Sequence, residues 1–344
     1  MKKSLIGVGV LAATAAGVAL QGRREVARLA RTHAPGPEGD DIFKLPADVQ
    51  HHEIPTPDGG TIHYVERGKG RPLVLLHGWT QRDDIWSPQL RELADRYRVI
   101  AADLRGHGRS EAGTDGYGLA MLAADLRTLL ETLDLHDALV VGHSMGGMTV
   151  LRFCVDHPDV LAERVAGIGL VATAAVAPMP APVAALVSKP GQRLVKRLEE
   201  GRKVPQYGFK DNAFSTLVAR FAYGKEPPGA AVAVTREMLE SVPPAGLMTS
   251  MIKIMEYDTR EALADVDVPS FVVVGTRDGL TPPPNARLIA ELLPGCELHE
   301  LKSAGHQIMQ ERPGELAQLI DQLAARARAT GAGSGSAASG AIPA

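Results

Sequence analysis

A serine flanked by glycines is the first pattern in this chain that can support covalent chemistry. Ser144 stands in GHSMG (142–146), which fits G-x-S-x-G and directly follows an apolar run in DALVV (137–141). A sharp strand-to-helix turn at this point would project the hydroxyl above a sheet. Glycine on either side removes the Cβ atoms that would crowd such a turn. The pattern therefore predicts a nucleophilic serine.

A serine hydroxyl needs a base, and the base needs a carboxylate that orients it. Asp278 follows the apolar run FVVVGTR, and His306 follows the last predicted strand in SAGHQ. Both would stand at the carboxyl edge of a parallel sheet, where open α/β sheets bind ligands. The strand that ends near Thr173 is followed by no carboxylate, so Asp278 is the candidate acid. The competing interpretations are a turn-forming aspartate and a surface-loop histidine, but the order Ser, Asp, His favours a triad.

Acyl transfer also requires hydrogen-bond donors for the oxyanion of the tetrahedral intermediate. The backbone N–H of Met145, directly after the candidate nucleophile, is one expected donor. The second is expected from the loop HGW, where Gly78 permits close backbone approach and Trp79 supplies the N–H. Trp79 also fits the simpler role of a pocket wall.

The elements that must position these residues alternate along the chain. Apolar runs alternate with segments of helical periodicity, which predicts a mostly parallel central sheet with helices on both faces. The predicted strands are 61–68, 72–78, 98–106, 137–144, 164–173 and 271–278, with a last strand in the segment 296–306, and the predicted helices are 87–96, 118–133, 146–158 and 314–327.

One long segment breaks that alternation and divides the predicted core. Residues 176–262 contain short helical patterns, many prolines and no convincing strand, so we expect an inserted helical cap, or lid. The expected organisation is a signal peptide or membrane anchor (1–31), a linker (32–48), a core (49–175 and 263–327), the cap (176–262) and a flexible tail (328–344).

The first residues resemble a targeting segment. Lys2 and Lys3 precede an apolar, Ala/Gly-rich run over residues 5–20, and Arg23 and Arg24 follow it. The run predicts a protein that is membrane-associated, or exported, through its N-terminus, with the side of the membrane left open.

Composition excludes several other classes of protein. A net charge of −3 and a pI near 6.4 give no electrostatic basis for nucleic-acid binding. Cys154 and Cys296 lie far apart without framework spacing, so free thiols are expected. No Cys/His cluster has metal-ligand spacing. We expect no metal and no cofactor, and a small-molecule ester or acyl compound as the binding partner.

Five motifs in order resemble the α/β-hydrolase superfamily, in its serine esterase/lipase-like branch with a helical cap, over residues 50–327. They are HGW (77–79), DLRGHGRS (103–110), GHSMGG (142–147), GTRDGLTPP (275–283) and AGHQIMQERP (304–313). The resemblance implies that Asp103, Arg105 and His107 hold a turn. It also implies that His77 and His143 support the oxyanion loop and the serine turn.

This resemblance implies a carboxylic-ester hydrolase that acts through an acyl-enzyme on Ser144. Dehalogenases and epoxide hydrolases of the fold carry aspartate at that position. Two alternatives stay open: a cofactor-free haloperoxidase or perhydrolase, which HGW followed by Trp86 also resembles, and a small-molecule receptor with slow turnover. The cap carries two apolar stripes: Met248, Met251, Ile252 and Met255, and Leu194, Val195 and Leu198. They fit simple packing of the cap against the core, but adaptable methionines and the lack of clustered charge also favour an uncharged or lipid-like acyl group.

Overall fold

The computed structural model describes residues 40–177, 213–241, 250–251 and 254–336. The predicted N-terminal segment, the first stripe's Met248 and Ile252, and the whole stripe at 194–198 lie outside these residues. So does the predicted tail beyond residue 336.

The centre of the described chain is a sheet of eight strands in the order β1-β2-β4-β3-β5-β6-β7-β8. The β1–β2 and β2–β4 pairs are antiparallel, and the remaining pairs are parallel. The predicted mostly parallel sheet is therefore confirmed. The strands are β1 Gln50–Pro55, β2 Thr61–Arg67, β3 Arg71–Leu76, β4 Tyr97–Ala102, β5 Ala138–His143, β6 Val165–Val171, β7 Ser270–Gly275 and β8 Glu297–Leu301.

Helices cover both faces of this sheet. They are α1 Ser87–Glu92, α2 Leu119–Thr132, α3 Met145–Asp156, α4 Pro158–Arg164, α5 Ala213–Phe221, α6 Gly229–Ser241, α7 Pro283–Leu292, α8 Ile308–Glu311 and α9 Pro313–Ser336. Short 3-10 helices span Asp40–Phe43, Asp83–Trp86 and Arg260–Asp265.

Strand β3 shows how one apolar run supplies both halves of the core. Val74 and Leu76 belong to the apolar cluster formed with α2, α3 and α7. Leu73 and Leu75 point the other way, into the cluster formed with α1 and α9. Because side chains alternate across a strand, a strand covered on both faces is expected to be largely apolar along its length. All six residues of β5 and of β7 are buried for the same reason.

The C-terminal helix is longer than predicted. It was expected to end at residue 327, with a flexible tail from 328, but α9 continues to Ser336. The added residues, RATGAGSGS (328–336), include three glycines, which have low helix propensity, so intrinsic propensity does not explain the extension. The helix extends past Ala327, its last residue in the described apolar core.

Helices α5 and α6 lie in the segment between β6 and β7 for which a cap was predicted. The two ends of that segment are bonded to each other. The Ala177 N–H donates to Tyr257 O at 2.9 Å, and the Thr259 N–H donates to Ala175 O at 3.0 Å. This places the exit and return of the insertion side by side at the sheet edge. The role of the insertion as a lid stays a prediction.

The predicted localisation, at or across a membrane by way of residues 5–20, is contradicted. In the part of the chain that the structure describes, no helix combines the length and the apolar character needed to cross a bilayer. Residues 5–20 themselves lie outside that part.

Candidate active site

Ser144 occupies the turn between β5 and α3 in a strained backbone conformation. Its φ of 50° and ψ of −114° lie outside the regions that non-glycine residues usually adopt. The turn is fixed by the Ser144 N–H, which donates to Val171 O at 2.9 Å, and by Thr173 Oγ1, which donates to Ser144 O at 2.7 Å. A Cβ on Gly142 would overlap the backbone of Gly146. The predicted need for glycine at this turn is therefore visible as close backbone packing.

Asp278 and His306 form a buried hydrogen-bonded pair at the same edge of the sheet. Asp278 Oδ2 lies 2.8 Å from His306 Nδ1, and each residue is only 4% exposed. The other carboxylate oxygen accepts the N–H groups of Leu280, at 2.8 Å, and Thr281, at 2.9 Å. Thr281 Oγ1 donates to Asp278 Oδ2 at 2.8 Å. Because both of its oxygens accept these hydrogen bonds, the carboxylate is held in one orientation. It in turn fixes the orientation of the His306 imidazole.

Backbone and side-chain bonds also fix the loop that carries His306. Its N–H donates to Ala222 O at 2.8 Å, just after α5. Its carbonyl accepts from His143 Nε2 at 3.0 Å. Burial holds the pKa of His143 well below its ordinary value, so this ring stays neutral as a structural donor. The resemblance implied that His143 supports the oxyanion loop and the serine turn. In the structure its Nε2 also supports the loop that carries His306.

The loop after β3 is held by its own side chains. The Gly78 N–H donates to Gln81 Oε1 at 2.8 Å, and Gln81 Nε2 donates to Gln307 Oε1 at 2.9 Å. The adjacent Trp79 directs its indole N–H to Ser250 Oγ at 2.9 Å. Met145 is the first residue of α3, where a backbone N–H has no intrahelical acceptor. Both candidate oxyanion residues line the same cavity.

That cavity has a volume of about 230 Å³ and brings Ser144 and His306 together. Asp278 lies behind the imidazole rather than on the wall. The described wall is mainly apolar, with contributions from the loop after β3, from α3, from α5 and from the later part of the insertion. Its apolar members include Trp79, Met145, Met148, Val218, Phe221, Leu239, Met251, Ile254, Met255 and Leu280.

The DLRGHGRS segment lies outside the cavity and holds a turn, as the resemblance implied. Asp103 accepts the N–H groups of Asp83, at 2.7 Å, and Arg109, at 2.9 Å. Arg105 forms a bidentate pair with Asp125, with both bonds at 2.6 Å. These bonds are buried links between segments, and none of them faces Ser144.

A histidine cluster that sequence spacing did not reveal lies beside this turn. One potential ligand atom from each of His51, His63 and Asp83 lies within 4.8 Å of the others. The geometry is that of a possible metal site, but Arg109 Nη1 already lies 2.9 Å from His51 Nδ1. The guanidinium supplies positive charge at this position.

The two cysteines are free thiols, as predicted. Burial raises the pKa of Cys154 to about 12 and that of Cys296 to about 11, so both stay protonated and unreactive at neutral pH.

Sequence reasoning missed three residues that support the site: Gln81, Gln307 and Thr281. Thr281 had a local signal, because a hydroxyl three residues after an aspartate can bond its carboxylate in a turn. The Gln81–Gln307 bond joins positions 226 residues apart, and no local pattern predicts it.

The chain matches the family model described as the alpha/beta hydrolase fold over residues 71–313. It is 28% identical to the AB hydrolase superfamily protein YisY of Bacillus subtilis, over 79% of this chain and 98% of that protein. It is 30% identical to the non-heme chloroperoxidase CPO-A1 of Kitasatospora aureofaciens, over 74% of this chain and 91% of that protein. Among solved structures, it is similar to a thermophilic esterase from Thermogutta terrifontis, with 25% identity, a TM-score of 0.66, and coverage of 81% and 99%. With this sheet, this serine turn and a family match over most of its length, the chain belongs to the α/β-hydrolase fold family.

Proposed function

We propose that this protein is a serine hydrolase that cleaves carboxylic esters through an acyl-enzyme on Ser144. One observation carries the proposal. The strained Ser144 and the Asp278-bonded His306 line the same apolar cavity. The similarity to an esterase supports the same reaction class.

In the proposed reaction, Ser144 Oγ attacks the acyl carbon while His306 Nε2 accepts the hydroxyl proton. Asp278 bonds Nδ1, which keeps the proton on that nitrogen and leaves Nε2 as the base. The backbone N–H groups of Met145 and Trp79 stabilise the oxyanion. Collapse of the intermediate breaks the acyl–oxygen bond, and the alcohol leaves with the proton from His306. Water then repeats these steps on the acyl-enzyme and releases the acid.

The acyl group in this proposal is uncharged and apolar. The described wall offers aliphatic, aromatic and thioether groups, and Met148, Met251 and Met255 are adaptable enough to contact acyl chains of different shape. A volume of about 230 Å³ suits a short or medium chain better than a long one.

A second candidate reaction is perhydrolysis, favoured by the 30% identity to a chloroperoxidase. Hydrogen peroxide would then replace water in the second half-reaction, and the product would be a peracid instead of an acid. A side-by-side assay of acid and peracid release at equal substrate concentration separates the two. Peracid as the main product at low millimolar peroxide would favour the second candidate.

The proposal is tested by labelling and turnover. Ser144→Ala should abolish labelling by a fluorophosphonate and lower kcat for para-nitrophenyl butyrate by about 10⁴-fold or more. Ser241→Ala is the matched control, because that hydroxyl bonds Met238 O within α6 and lies outside the cavity. Labelling that persists in Ser144→Ala would overturn the proposal. Labelling of the wild type without turnover would favour a receptor.

A further inference from the structure

A second and more open groove adjoins the catalytic cavity. It has a volume of about 740 Å³ and shares Val218 and Phe221 with the cavity wall. Phe221 is 63% exposed, and its ring stands over Gly279, directly after Asp278. A large aromatic side chain exposed at the mouth of a cavity is a surface that a bound ligand can cover.

The charged groups described along this groove are all positive. They are Arg220, Lys225 and Arg277, and no described residue of its lining is acidic. Arg220 is engaged, since its two terminal nitrogens each donate at 3.1 Å to the carbonyls of Tyr223 and Lys225. Lys225 makes a loose, exposed ion pair with Glu226 at 3.8 Å. The groove therefore carries net positive charge beside an apolar edge.

Arg277 is the cation best placed to receive a ligand. Its side chain is exposed, and within the described residues it takes part in no side-chain hydrogen bond or ion pair. Its backbone is nevertheless fixed, because its N–H donates to Ala304 O at 2.9 Å. A guanidinium on a fixed backbone can form a bidentate contact with a carboxylate or a phosphate at modest entropic cost.

Backbone bonds hold the groove in register with the catalytic imidazole. The Lys225 N–H donates to Ser303 O at 3.2 Å, and the His306 N–H donates to Ala222 O at 2.8 Å. With the bond from Arg277 to Ala304, these bonds join three segments into one unit: 222–225, 277–278 and 303–306. A ligand group bound in the groove is held at a fixed position relative to His306.

We propose that this groove binds the leaving group of the ester and that this group carries an anion, either a carboxylate or a phosphate. The inference rests on the proposed esterase function and extends it. The two halves of an ester lie on opposite sides of its carbonyl carbon. The smaller apolar cavity suits the acyl half, and the more open cationic groove suits the alcohol half.

Three esters with one acyl chain and matched alcohols test the proposal. The alcohols are para-(hydroxymethyl)benzamide, para-(hydroxymethyl)benzoate and para-(hydroxymethyl)phenyl phosphate, each as its hexanoate. We expect kcat/KM for at least one anionic ester to exceed that of the neutral amide by about tenfold at low salt. The preference should shrink as salt is added, because exposed charges are screened. The benzoate and phosphate arms identify which anion the groove selects.

Variants show whether the groove is responsible for the preference. Arg277→Gln should reduce the ratio of anionic to neutral kcat/KM to near one, and Lys225→Gln should lower it by a smaller factor. Arg287→Gln is the matched control, since that exposed arginine pairs with Glu300 on β8 and does not line the groove. This control should keep the wild-type ratio.

The outcomes separate the two proposals. Equal turnover of all three esters by the wild type would overturn the anionic leaving group and leave the esterase intact. An anion preference that survives Arg277→Gln would also overturn it, because the groove would not be its source. Hydrolysis of none of the three, and of no para-nitrophenyl ester, would overturn the esterase itself.

Discussion

Two buried histidine–carboxylate pairs occupy different places in this molecule and serve different purposes. In one, His306 Nδ1 lies 2.8 Å from Asp278 Oδ2, and in the other His63 Nδ1 lies 3.1 Å from Asp103 Oδ2. The geometry of the two pairs is nearly the same. What differs is the far side of each ring, because the His306 ring lines the cavity with Ser144, whereas His63 Nε2 lies 3.2 Å from His51 Nδ1. A His–Asp pair is therefore a candidate for catalysis only where its free nitrogen faces open space and a nucleophile.

The two carboxylates differ in the span of chain that they join. Asp278 accepts two backbone N–H groups from within its own loop, at Leu280 and Thr281. Asp103 instead joins β2, the loop after β3 and its own turn, through bonds to three separate segments. We infer that the first arrangement orients one imidazole and that the second stabilises the fold.

The largest expected difference is in catalysis. Asp278→Asn should lower kcat for para-nitrophenyl butyrate by about 10³–10⁴-fold, because an amide no longer favours the Nδ1–H tautomer of His306. Its thermal unfolding should stay close to that of the wild type, since the amide oxygen can still accept both backbone N–H groups of the loop. The amide NH2 would face Thr281 Oγ1 and His306 Nδ1, which can accept as well as donate. Stopped assays on purified protein with known active-site concentration measure this. Near-normal kcat would mean that another carboxylate orients the base.

The second pair should respond in the opposite way. Asp103→Asn should lower the free energy of unfolding by about 2–4 kcal/mol, because a buried acceptor of several bonds loses its charge. The kcat of the folded fraction should remain within about threefold of the wild type. Urea unfolding and active-site titration of the same preparation separate the two effects. A collapse of kcat at unchanged stability would assign a catalytic role to Asp103 and remove the distinction drawn between the pairs.

Much of this comparison was accessible from the sequence, and for a physical reason. Ser144 and Asp278 each follow an apolar run, His306 follows the last predicted strand, and parallel strands leave their next residues at one edge of the sheet. The turn-forming role of Asp103 came with the resemblance of DLRGHGRS, not with any local pattern. In the structure, Ser144 and His306 line one cavity at the carboxyl ends of the parallel strands.

The rest depended on contacts that local patterns do not encode. His63 meets Asp103 across a separation of 40 residues, in a strand whose alternation gave no sign of a partner. Strand β1, QHHEIP, was not predicted because it is an edge strand in which only Ile54 is buried. The groove lined by Lys225 and Arg277 joins two loops, and so its charge could not be seen while the insertion was considered alone.

The smallest expected effect concerns Asp83, which packs beside the His63–Asp103 pair. Burial and the neighbouring carboxylates of Asp103 and Asp84 raise the pKa of Asp83 to about 7, and His63 opposes this only in part. The folded protein therefore binds a proton here at pH values where the unfolded chain, with an ordinary pKa near 3.8, has released it. The resulting stabilisation is complete below about pH 4 and is lost as the pH rises through about 7.

Asp83→Asn should remove this pH dependence, because an amide keeps the shape of the protonated acid and does not titrate. Relative to the wild type, the variant should gain stability between pH 6 and pH 8 by roughly 1.4 kcal/mol. Asp95→Asn, at an exposed carboxylate paired with Arg96, should leave the wild-type slope unchanged. Urea unfolding of the three proteins at both pH values measures the difference. If Asp83→Asn kept the wild-type slope, the carboxylate would be ionised at neutral pH, and the charges of His63 and Arg109 would outweigh the repulsion from Asp103.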